Sequence, residues 1–218
     1  IFFRYKIFNY MEEKMSKKNV LLIVMSIILF IILAVAINAD ILSGFESWIY
    51  FESVEHMSDI LTNVLILITN FGGPIGISLI CFTIFLIPKL RNKLGLPVSL
   101  AVSTSFVLNI ILKLIFARER PDILRLVTEN SYSFPSGHAM VNMALYTVLI
   151  IYAYKFIESK KIKYPLILLM ILLVIVIGFT RIYLGVHYAG DIIGGWLLGF
   201  AIGLSIYMLM KKSSINDD

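Results

Sequence analysis

Residues 19–39 read NVLLIVMSIILFIILAVAINA, a stretch without a charged residue, a proline or a glycine. A helix rises about 1.5 Å per residue and the hydrocarbon core of a bilayer is about 30 Å thick, so roughly 20 apolar residues can span it. The stretch is therefore typical of a membrane-spanning helix. No small-residue cleavage site follows it, which favours a permanent anchor over a removed signal peptide.

Five further apolar runs follow along the chain, at about 73–88, 96–116, 139–157, 164–180 and 192–210. Of the 218 residues, 59% are hydrophobic and 15% are charged, whereas soluble domains are about 45–50% apolar and about 25% charged. This composition excludes a soluble globular domain, a disordered chain and a basic nucleic-acid-binding module. We predict an all-α integral membrane bundle of six transmembrane helices.

The distribution of basic residues predicts how the bundle is oriented. Fourteen of the 19 Lys and Arg residues lie before residue 19, at 89–93, at 155–163 or after residue 210. Because short basic segments stay in the cytoplasm, these segments and both chain ends are expected there. The predicted organisation is a cytoplasmic N-terminal segment at 1–18, a six-helix membrane domain at 19–212 and a cytoplasmic tail at 213–218. Met11 and Met15 are candidate start residues, so no structural prediction is based on the first 14 residues.

A shorter apolar run at 60–69 is separated from the second predicted span by the sequence NFGGP at 70–74. The run is too short to cross a bilayer, and Trp48, Tyr50 and Phe51 precede it, as is typical of the membrane–water interface. We expect a short interfacial helical segment on the outer face, which serves either as a gate or as a plain interface anchor.

Five basic residues fall instead at or near the outer ends of the predicted spans, where the charge rule disfavours them. They are Lys113, Arg118, Arg120, Arg125 and Arg181. Arg118 and Arg125, taken singly, are interpreted as side chains that snorkel to the interface. The other three indicate a functional site, because charges at the membrane boundary carry a free-energy cost.

The first motif is KLIFARERP at 113–121, in which Lys113 and Arg120 are seven residues apart. Two helical turns separate them, so both can face one point at the end of the third predicted span. With Arg181 they form a set of three cations that needs an anion, and the arginine fork matches phosphate oxygens. The alternative is a structural ion-pair cluster with nearby carboxylates. Those carboxylates are Glu119, Asp122 and Glu129.

The second motif is PSGH at 135–138, directly before the fourth predicted span. Free backbone N–H groups and the helix dipole favour an anion at such a position. Gly137 allows a ligand to approach the backbone closely, and the Ser136 hydroxyl adds a donor. The alternative is that Ser136 is an ordinary helix N-cap.

The third motif joins Arg181, His187 and Asp191 between the fifth and sixth predicted spans. On a helix, His187 and Asp191 share a face, so the carboxylate fixes the imidazole tautomer and leaves the other ring nitrogen free to attack. His138 is then a second imidazole that can protonate a leaving group. A metal site is a rival interpretation, but three cations would repel a divalent ion. His56 is interpreted as a surface residue.

Taken together and in this order, the three motifs resemble the signature of the type 2 phosphatidic acid phosphatase family, which includes bacterial phosphatidylglycerophosphate and undecaprenyl-pyrophosphate phosphatases. The resemblance covers about 73–210, and Thr180 stands where the family's third motif often has serine. Vanadium haloperoxidases share the motifs but are soluble, so the six predicted spans argue against that branch.

The resemblance implies a role for each matching residue. His187 attacks phosphorus and becomes a phosphohistidine, Asp191 orients it, and His138 protonates the departing oxygen and later activates water. The phosphoryl oxygens are held by Lys113, Arg120, Ser136, Gly137 and Arg181. The family generally works without a metal, so no metal and no other cofactor is expected.

The expected function is hydrolysis of a lipid phosphate or diphosphate on the extracytoplasmic face of a bacterial cell membrane. Phosphatidylglycerophosphate, undecaprenyl diphosphate and phosphatidic acid are the candidate substrates, because the motifs recognise phosphate rather than the lipid tail. The expected partners are this substrate and the bilayer, with no nucleic acid and no obligatory protein partner. Two alternatives are a non-catalytic lipid-phosphate binder or transporter and a vanadate-dependent oxidase. Two histidines argue against the first, since binding needs only the cations.

Overall fold

The computed structural model describes the backbone of residues 2–122 and 124–216 and the side chains of residues 17–122 and 124–210. Every regular element in these residues is helical, which confirms the predicted all-α class. The helices are α1 (Phe2–Asn38), α2 (Ser43–Glu55), α3 (Asp59–Phe71), α4 (Pro74–Leu86), α5 (Pro88–Leu90), a π-helical turn (Arg91–Gly95), α6 (Leu96–Phe116), α7 (Gly137–Phe156), α8 (Lys160–Tyr183) and α9 (Ala189–Asn216). Most side chains of the segments expected at 1–18 and 213–218 lie outside the described residues.

Among the described residues, five helices are long and apolar enough to cross a membrane. They are Lys17–Asn38, Pro88–Phe116, Gly137–Phe156, Lys160–Tyr183 and Ala189–Met210. These correspond to five of the six predicted spans, and the apolar side chains that remain exposed on them are what a lipid-facing surface requires.

The remaining predicted span, at 73–88, is not one continuous helix of spanning length. Helices α3 and α4 have 13 residues each, about 20 Å of rise apiece, and they pass the spanning test only as a pair bent by 45°. Pro74 lacks an N–H and begins α4, while a Cβ at Gly72 would lie 2.6 Å from Ile177 of α8. The expected interfacial segment at 60–69 is thus the first arm of this bent pair, and six spans result only if the pair counts as one.

Helix α7 lies at the centre of the bundle and packs against α6, α8 and α9. Its contact with α9 is close because α9 presents glycines there: a Cβ at Gly199 would lie 2.3 Å from the Met140 carbonyl oxygen, and one at Gly203 would lie 2.7 Å from that of Ala144. Close backbone approach through small residues is a common way for membrane helices to associate.

The alternating direction of α6 to α9 brings four helix ends together. Helices α6 and α8 end, and α7 and α9 begin, at one end of the bundle, where two connecting segments meet. Backbone hydrogen bonds tie these segments to each other: the Leu126 N–H donates to Leu184 O over 3.1 Å, and the Ser136 N–H donates to Asp191 O over 3.0 Å. Gly185 has a φ of +69°, and a Cβ there would meet Leu124 O at 1.8 Å. All three predicted motifs therefore lie at this end.

Candidate active site

A cavity of about 370 Å³ lies at the end of the bundle where the three motifs meet. Lys113, Arg120, His138 and His187 line its polar end. The opposite wall is apolar and comes from α4, α6 and α7, through Ile77, Val102, Phe106 and Val141. Residues that are 74 positions apart in the sequence thus face one space, as the sequence predicts.

A second, more polar basin of about 800 Å³ opens toward the loop that follows α6. Lys113, Arg120, Glu129 and Ser131 line both this basin and the first cavity. The cations therefore stand between an apolar compartment and a polar one.

Backbone carbonyls hold Lys113 and Arg120 in place. The Lys113 ammonium donates to Tyr132 O and, over 3.3 Å, to Ser133 O. Arg120 donates from Nε to Ser131 O over 2.6 Å and from Nη1 to Val186 O over 2.7 Å. Carbonyls orient these side chains but do not neutralise them, so both positive charges remain available to an anion. Burial of the guanidinium lowers the pKa of Arg120 below its usual value, and Glu129 opposes this shift.

Arg181 and Glu129 form an ion pair, as the alternative of a structural ion-pair cluster predicts, but the pair does not use every donor of Arg181. Arg181 donates to Glu129 Oε1 and, over 3.2 Å, to Thr69 Oγ1, while its Nε has no hydrogen-bond partner among the described residues. Arg120 lies 3.8 Å from the same carboxylate. Asp122 pairs instead with Arg125, over 3.3 Å. Glu129 therefore pairs with two of the three cations, and Asp191, which attracts Lys113 and Arg120, is itself paired with Arg118. An excess of positive charge remains.

The PSGH segment is not capped in the ordinary way. Ser136 occupies the N-cap position of α7, yet its fully buried hydroxyl makes no hydrogen bond within the described residues. A Cβ at Gly137 would lie 3.0 Å from Asn109 Oδ1, so this position has room only for glycine without a shift. An unused hydroxyl at a helix N-terminus fits an anion-binding role better than the N-cap alternative.

His138 projects into the cavity from the first turn of α7 and is partly buried. The α3–α4 bend packs directly against it, because a Cβ at Gly73 would lie 3.4 Å from His138 Nε2. Asn142 fastens this bend by donating to Gly72 O over 2.7 Å and to His138 O over 2.8 Å. The broken helix pair thus forms one side of the pocket.

The hydrogen bonds of His187 determine its tautomer. Its Nδ1 lies 3.3 Å from Asp191 Oδ2 and 3.2 Å from Ser133 Oγ, while its Nε2 lies 3.2 Å from the Arg120 Nη1. A carboxylate only accepts and a guanidinium only donates, so Nδ1 carries the proton and Nε2 presents its lone pair. Burial lowers the pKa of His187 to about 3, although the hydrogen bond and charge of Asp191 oppose the shift. The imidazole is therefore neutral at physiological pH and can act as a nucleophile.

Three residues that the sequence analysis did not assign to the site contact Asp191 or its partners. Ser133 donates to Asp191 Oδ2 over 2.5 Å, and Arg118 donates to Asp191 Oδ1 over 2.7 Å. Glu46 of α2, which is buried, binds Arg118 in turn. The interpretation of Arg118 as a snorkelling side chain was wrong, because its position within the first motif places it beside Asp191. Nothing in the sequence around Glu46 indicates its contact.

Within residues 17–122 and 124–210, no three His, Cys, Asp or Glu side chains are grouped as metal ligands. His56 lies apart from the site at the end of α2, where its Nδ1 contacts Glu52 O over 2.9 Å.

A helical membrane bundle that surrounds a carboxylate-supported histidine with cations has the architecture of a membrane phosphatase. The chain belongs to the PAP2 superfamily, whose family model matches residues 93–215. This confirms the family that the three motifs indicate.

Similar proteins with assigned activities are membrane lipid phosphatases. The chain is 34% identical over 189 residues to phosphatidylglycerophosphatase B of Bacillus subtilis, covering 84% of this chain and 89% of the relative. It is 31% identical over 123 residues to an undecaprenyl-diphosphatase of Sulfolobus acidocaldarius, covering 53% of this chain and 55% of the relative.

Two crystal structures resemble the fold. The PAP2-type phosphatidylglycerolphosphate phosphatase of Bacillus subtilis matches with a TM-score of 0.78 and 30% identity, covering 87% of this chain and 96% of that one. Aquifex aeolicus LpxE matches with a TM-score of 0.61 and 26% identity, covering 73% of this chain and 92% of that one.

Proposed function

We propose that the chain hydrolyses the phosphate ester or diphosphate of a membrane lipid through a phosphohistidine on His187. One observation carries the proposal: His187 presents an unprotonated Nε2 beside Arg120 at the polar end of the cavity, while Asp191 holds its Nδ1 proton. A neutral, oriented imidazole next to fixed positive charge is what attack on a phosphoryl group requires.

The first step is attack of the Nε2 lone pair on phosphorus. The bond between phosphorus and the lipid oxygen breaks, His138 gives its proton to that oxygen, and the lipid product leaves. In the second step His138 takes a proton from water, the resulting hydroxide attacks phosphorus, and the N–P bond breaks to release inorganic phosphate. His138 is suited to both proton transfers because it lines the same cavity as His187.

The cations stabilise the charge that develops on the phosphoryl oxygens during both steps. Arg120 contacts Nε2 in the structure and would exchange that contact for a phosphoryl oxygen when substrate binds. Lys113, Arg181 and the α7 N-terminus at Ser136 and Gly137 would supply the other donors. The excess positive charge around the cavity supports a mechanism without a metal ion, since it would oppose binding of a divalent cation.

The apolar wall of the cavity supports a lipid substrate, because an acyl or prenyl chain can lie between α4 and α6 while the phosphate reaches the cations. Phosphatidylglycerophosphate is the first candidate, since the relative named for that substrate aligns over most of both chains. Undecaprenyl diphosphate is the second, from the relative that aligns over about half of each chain.

The placement of the site on the extracytoplasmic face, with both termini and the segments 1–18 and 213–218 in the cytoplasm, is part of the same proposal. It rests on the excess of Lys and Arg at the opposite helix ends. In this arrangement 19–212 is the catalytic membrane domain, α2 lies at the outer interface, and the bent α3–α4 pair forms the second span.

Purified protein in detergent, assayed with EDTA present, is expected to release phosphate from one or more of phosphatidylglycerophosphate, undecaprenyl diphosphate and phosphatidic acid. His187→Ala should lose essentially all turnover while it still binds substrate, and radiolabelled phosphate should be trapped on wild type only. His56→Ala is the matched control and should keep wild-type turnover. Phosphate release by His187→Ala would contradict the mechanism, and binding without turnover by wild type would favour a non-catalytic binder.

A further inference from the structure

Arg118 connects helix α2 to the catalytic carboxylate. Its Nη2 donates to Glu46 Oε2 over 2.5 Å, and its Nη1 reaches Glu46 Oε1 at 3.2 Å and Asp191 Oδ1 at 2.7 Å. The guanidinium also lies 4.3 Å from the centroid of the Tyr188 ring. A planar fork bound to two carboxylates and packed on an aromatic ring has little freedom to move.

Glu46 is a carboxylate buried between Arg118 and the first turn of α9. Its side chain is 3% exposed, and besides Arg118 it accepts a hydrogen bond from the Gly190 N–H over 3.1 Å. That N–H belongs to the first turn of α9, one residue before Asp191. The PAP2 family model matches from residue 93 onward, so Glu46 lies in a part of the chain outside the match to the family.

The two oxygens of Asp191 have different partners. Oδ1 accepts from Arg118, while Oδ2 accepts from Ser133, from the Tyr188 N–H over 2.9 Å and from His187. Arg118, on the other oxygen from Ser133 and the Tyr188 N–H, therefore helps to fix the rotation of the carboxylate that directs Oδ2 toward the imidazole.

We infer that Glu46 and Arg118 are positioning residues that keep Asp191 ionised and aimed at His187, so that helix α2 is part of the catalytic apparatus. This inference rests on the proposed function of His187 as the nucleophile. Arg118 lines the polar basin but not the cavity that holds His138 and His187. Its guanidinium is bound to Glu46 and Asp191, so it acts through Asp191 rather than on the substrate.

The charges explain why burial of Glu46 beside Asp191 makes Arg118 necessary. Without Arg118, two buried carboxylates would share one site with no guanidinium between them, and their repulsion would favour protonation of one of them. Within the described residues, titratable or charged groups that bear on Asp191 come from α2, from α6, from the loop between α6 and α7, and from the loop between α8 and α9. They are Glu46, Lys113, Arg118, Arg120, His187 and Tyr188, and Glu129 acts in turn on Lys113 and Arg120.

The local electrostatics agree with this role. Burial lowers the pKa of Arg118, but the hydrogen bond and charge of Glu46 and the charge of Asp191 outweigh it, so the pKa is raised above its usual value. The guanidinium stays protonated at every working pH and separates the two carboxylates permanently.

The pH profile of kcat separates this role from a purely structural one. Arg118→Gln should lower kcat by about 100-fold, leave KM within about threefold and move the acid limb upward by about one pH unit. Arg118→Lys keeps the charge but not the planar fork, so its kcat should fall while its acid limb stays at the wild-type pH.

The double variant Glu46→Gln/Arg118→Gln provides the decisive comparison. Removing the second carboxylate relieves the repulsion, so the acid limb should return toward the wild-type pH although one more native contact is lost. Arg125→Gln, the same change in the same loop, should leave the limb in place because Arg125 pairs with Asp122. The wild type must be active for this comparison. The inference would be overturned if the acid limb of Arg118→Gln lay at the wild-type pH, or if the limb moved in Arg118→Gln but did not return in the double variant.

A readout that does not need turnover distinguishes this result from failure of the proposed function. In ¹⁵N-histidine NMR of the protein in micelles, with His187→Asn used for assignment, wild type should show His187 as a single Nδ1–H tautomer at pH 6. Arg118→Gln should show a mixture of tautomers, and the double variant should recover the single form. An unchanged tautomer in Arg118→Gln would refute the inference even if the wild type released no phosphate.

Discussion

Replacing Arg120 by lysine keeps a positive charge at the polar end of the cavity but removes the planar guanidinium. In the structure this group binds at three nitrogens: Nε to Ser131 O, Nη1 to Val186 O and to His187 Nε2, and Nη2 to Ser131 Oγ and Tyr132 O. A single ammonium cannot reach these positions and a phosphoryl oxygen at the same time.

The size of the expected effect follows from the contacts that are lost. A hydrogen bond that involves a charged group contributes about 1.5–3 kcal/mol. Arg120→Lys gives up at least one such bond to the loop at 131–132 and one to the transferring phosphoryl group, so the barrier should rise by about 3–4 kcal/mol. This corresponds to a fall in kcat/KM of about 100- to 1000-fold.

The assay is phosphate release from the best lipid of the panel, measured under kcat/KM conditions in detergent. Arg125→Lys, in the same loop but 39% exposed and paired with Asp122, is the matched control and should stay within about twofold of wild type. If Arg120→Lys retained more than about a tenth of wild-type kcat/KM while it folded normally, fork recognition by Arg120 would be refuted and a simple charge requirement would replace it.

Three further predictions concern the backbone, pH and inhibition. Gly185→Ala forces a side chain into a left-handed conformation with its Cβ 1.8 Å from Leu124 O, so the melting temperature and turnover should both fall. Gly44→Ala, with open space around it, is the control and should change neither. An unchanged melting temperature for Gly185→Ala would contradict the contact. The pKa of His187 is about 3 in the folded chain and about 6.5 in the unfolded chain. Between these pH values only the unfolded state binds the proton. The free energy of unfolding should therefore decline as pH falls below 6.5, by up to about 1.4 kcal/mol per pH unit. Melting at pH 7.5 and 5.5 checks this, and His187→Gln should show a smaller decline; equal declines would exclude the titration of His187 as the cause. Vanadate, which mimics the five-coordinate transition state, should inhibit competitively, and its failure to do so would argue against attack within the cavity.

The sequence predicts most of the site because its chemistry is unusual for a membrane protein. Lys113, Arg120 and Arg181 stand out as cations at the wrong ends of apolar runs, and the spacing of His187 and Asp191 fits one face of a helix. These are local signals. In the structure Lys113, Arg120 and His187 line one cavity, Arg181 lines an adjoining pocket that shares His138 and Glu129 with it, and Asp191 contacts His187.

The parts that the sequence did not reveal depend on long-range contacts. Glu46 lies 72 positions before Arg118 in the chain, and the contact forms only when α2 folds over the start of α9. Arg118 by itself is indistinguishable from a snorkelling side chain, and its role is evident only once both carboxylates are in place. The Gly72–Pro74 break was visible, but whether the chain continues straight or bends depends on how α3 packs on α8.

The two compartments on either side of the cations bear on how the products separate. Lys113 and Arg120 border both the apolar cavity and the polar basin. If hydrolysis takes place between them, the dephosphorylated lipid can diffuse sideways into the bilayer while inorganic phosphate escapes into water. The two products then leave one after the other but by separate routes, and a rise in bulk phosphate would slow turnover without hindering entry of the lipid tail.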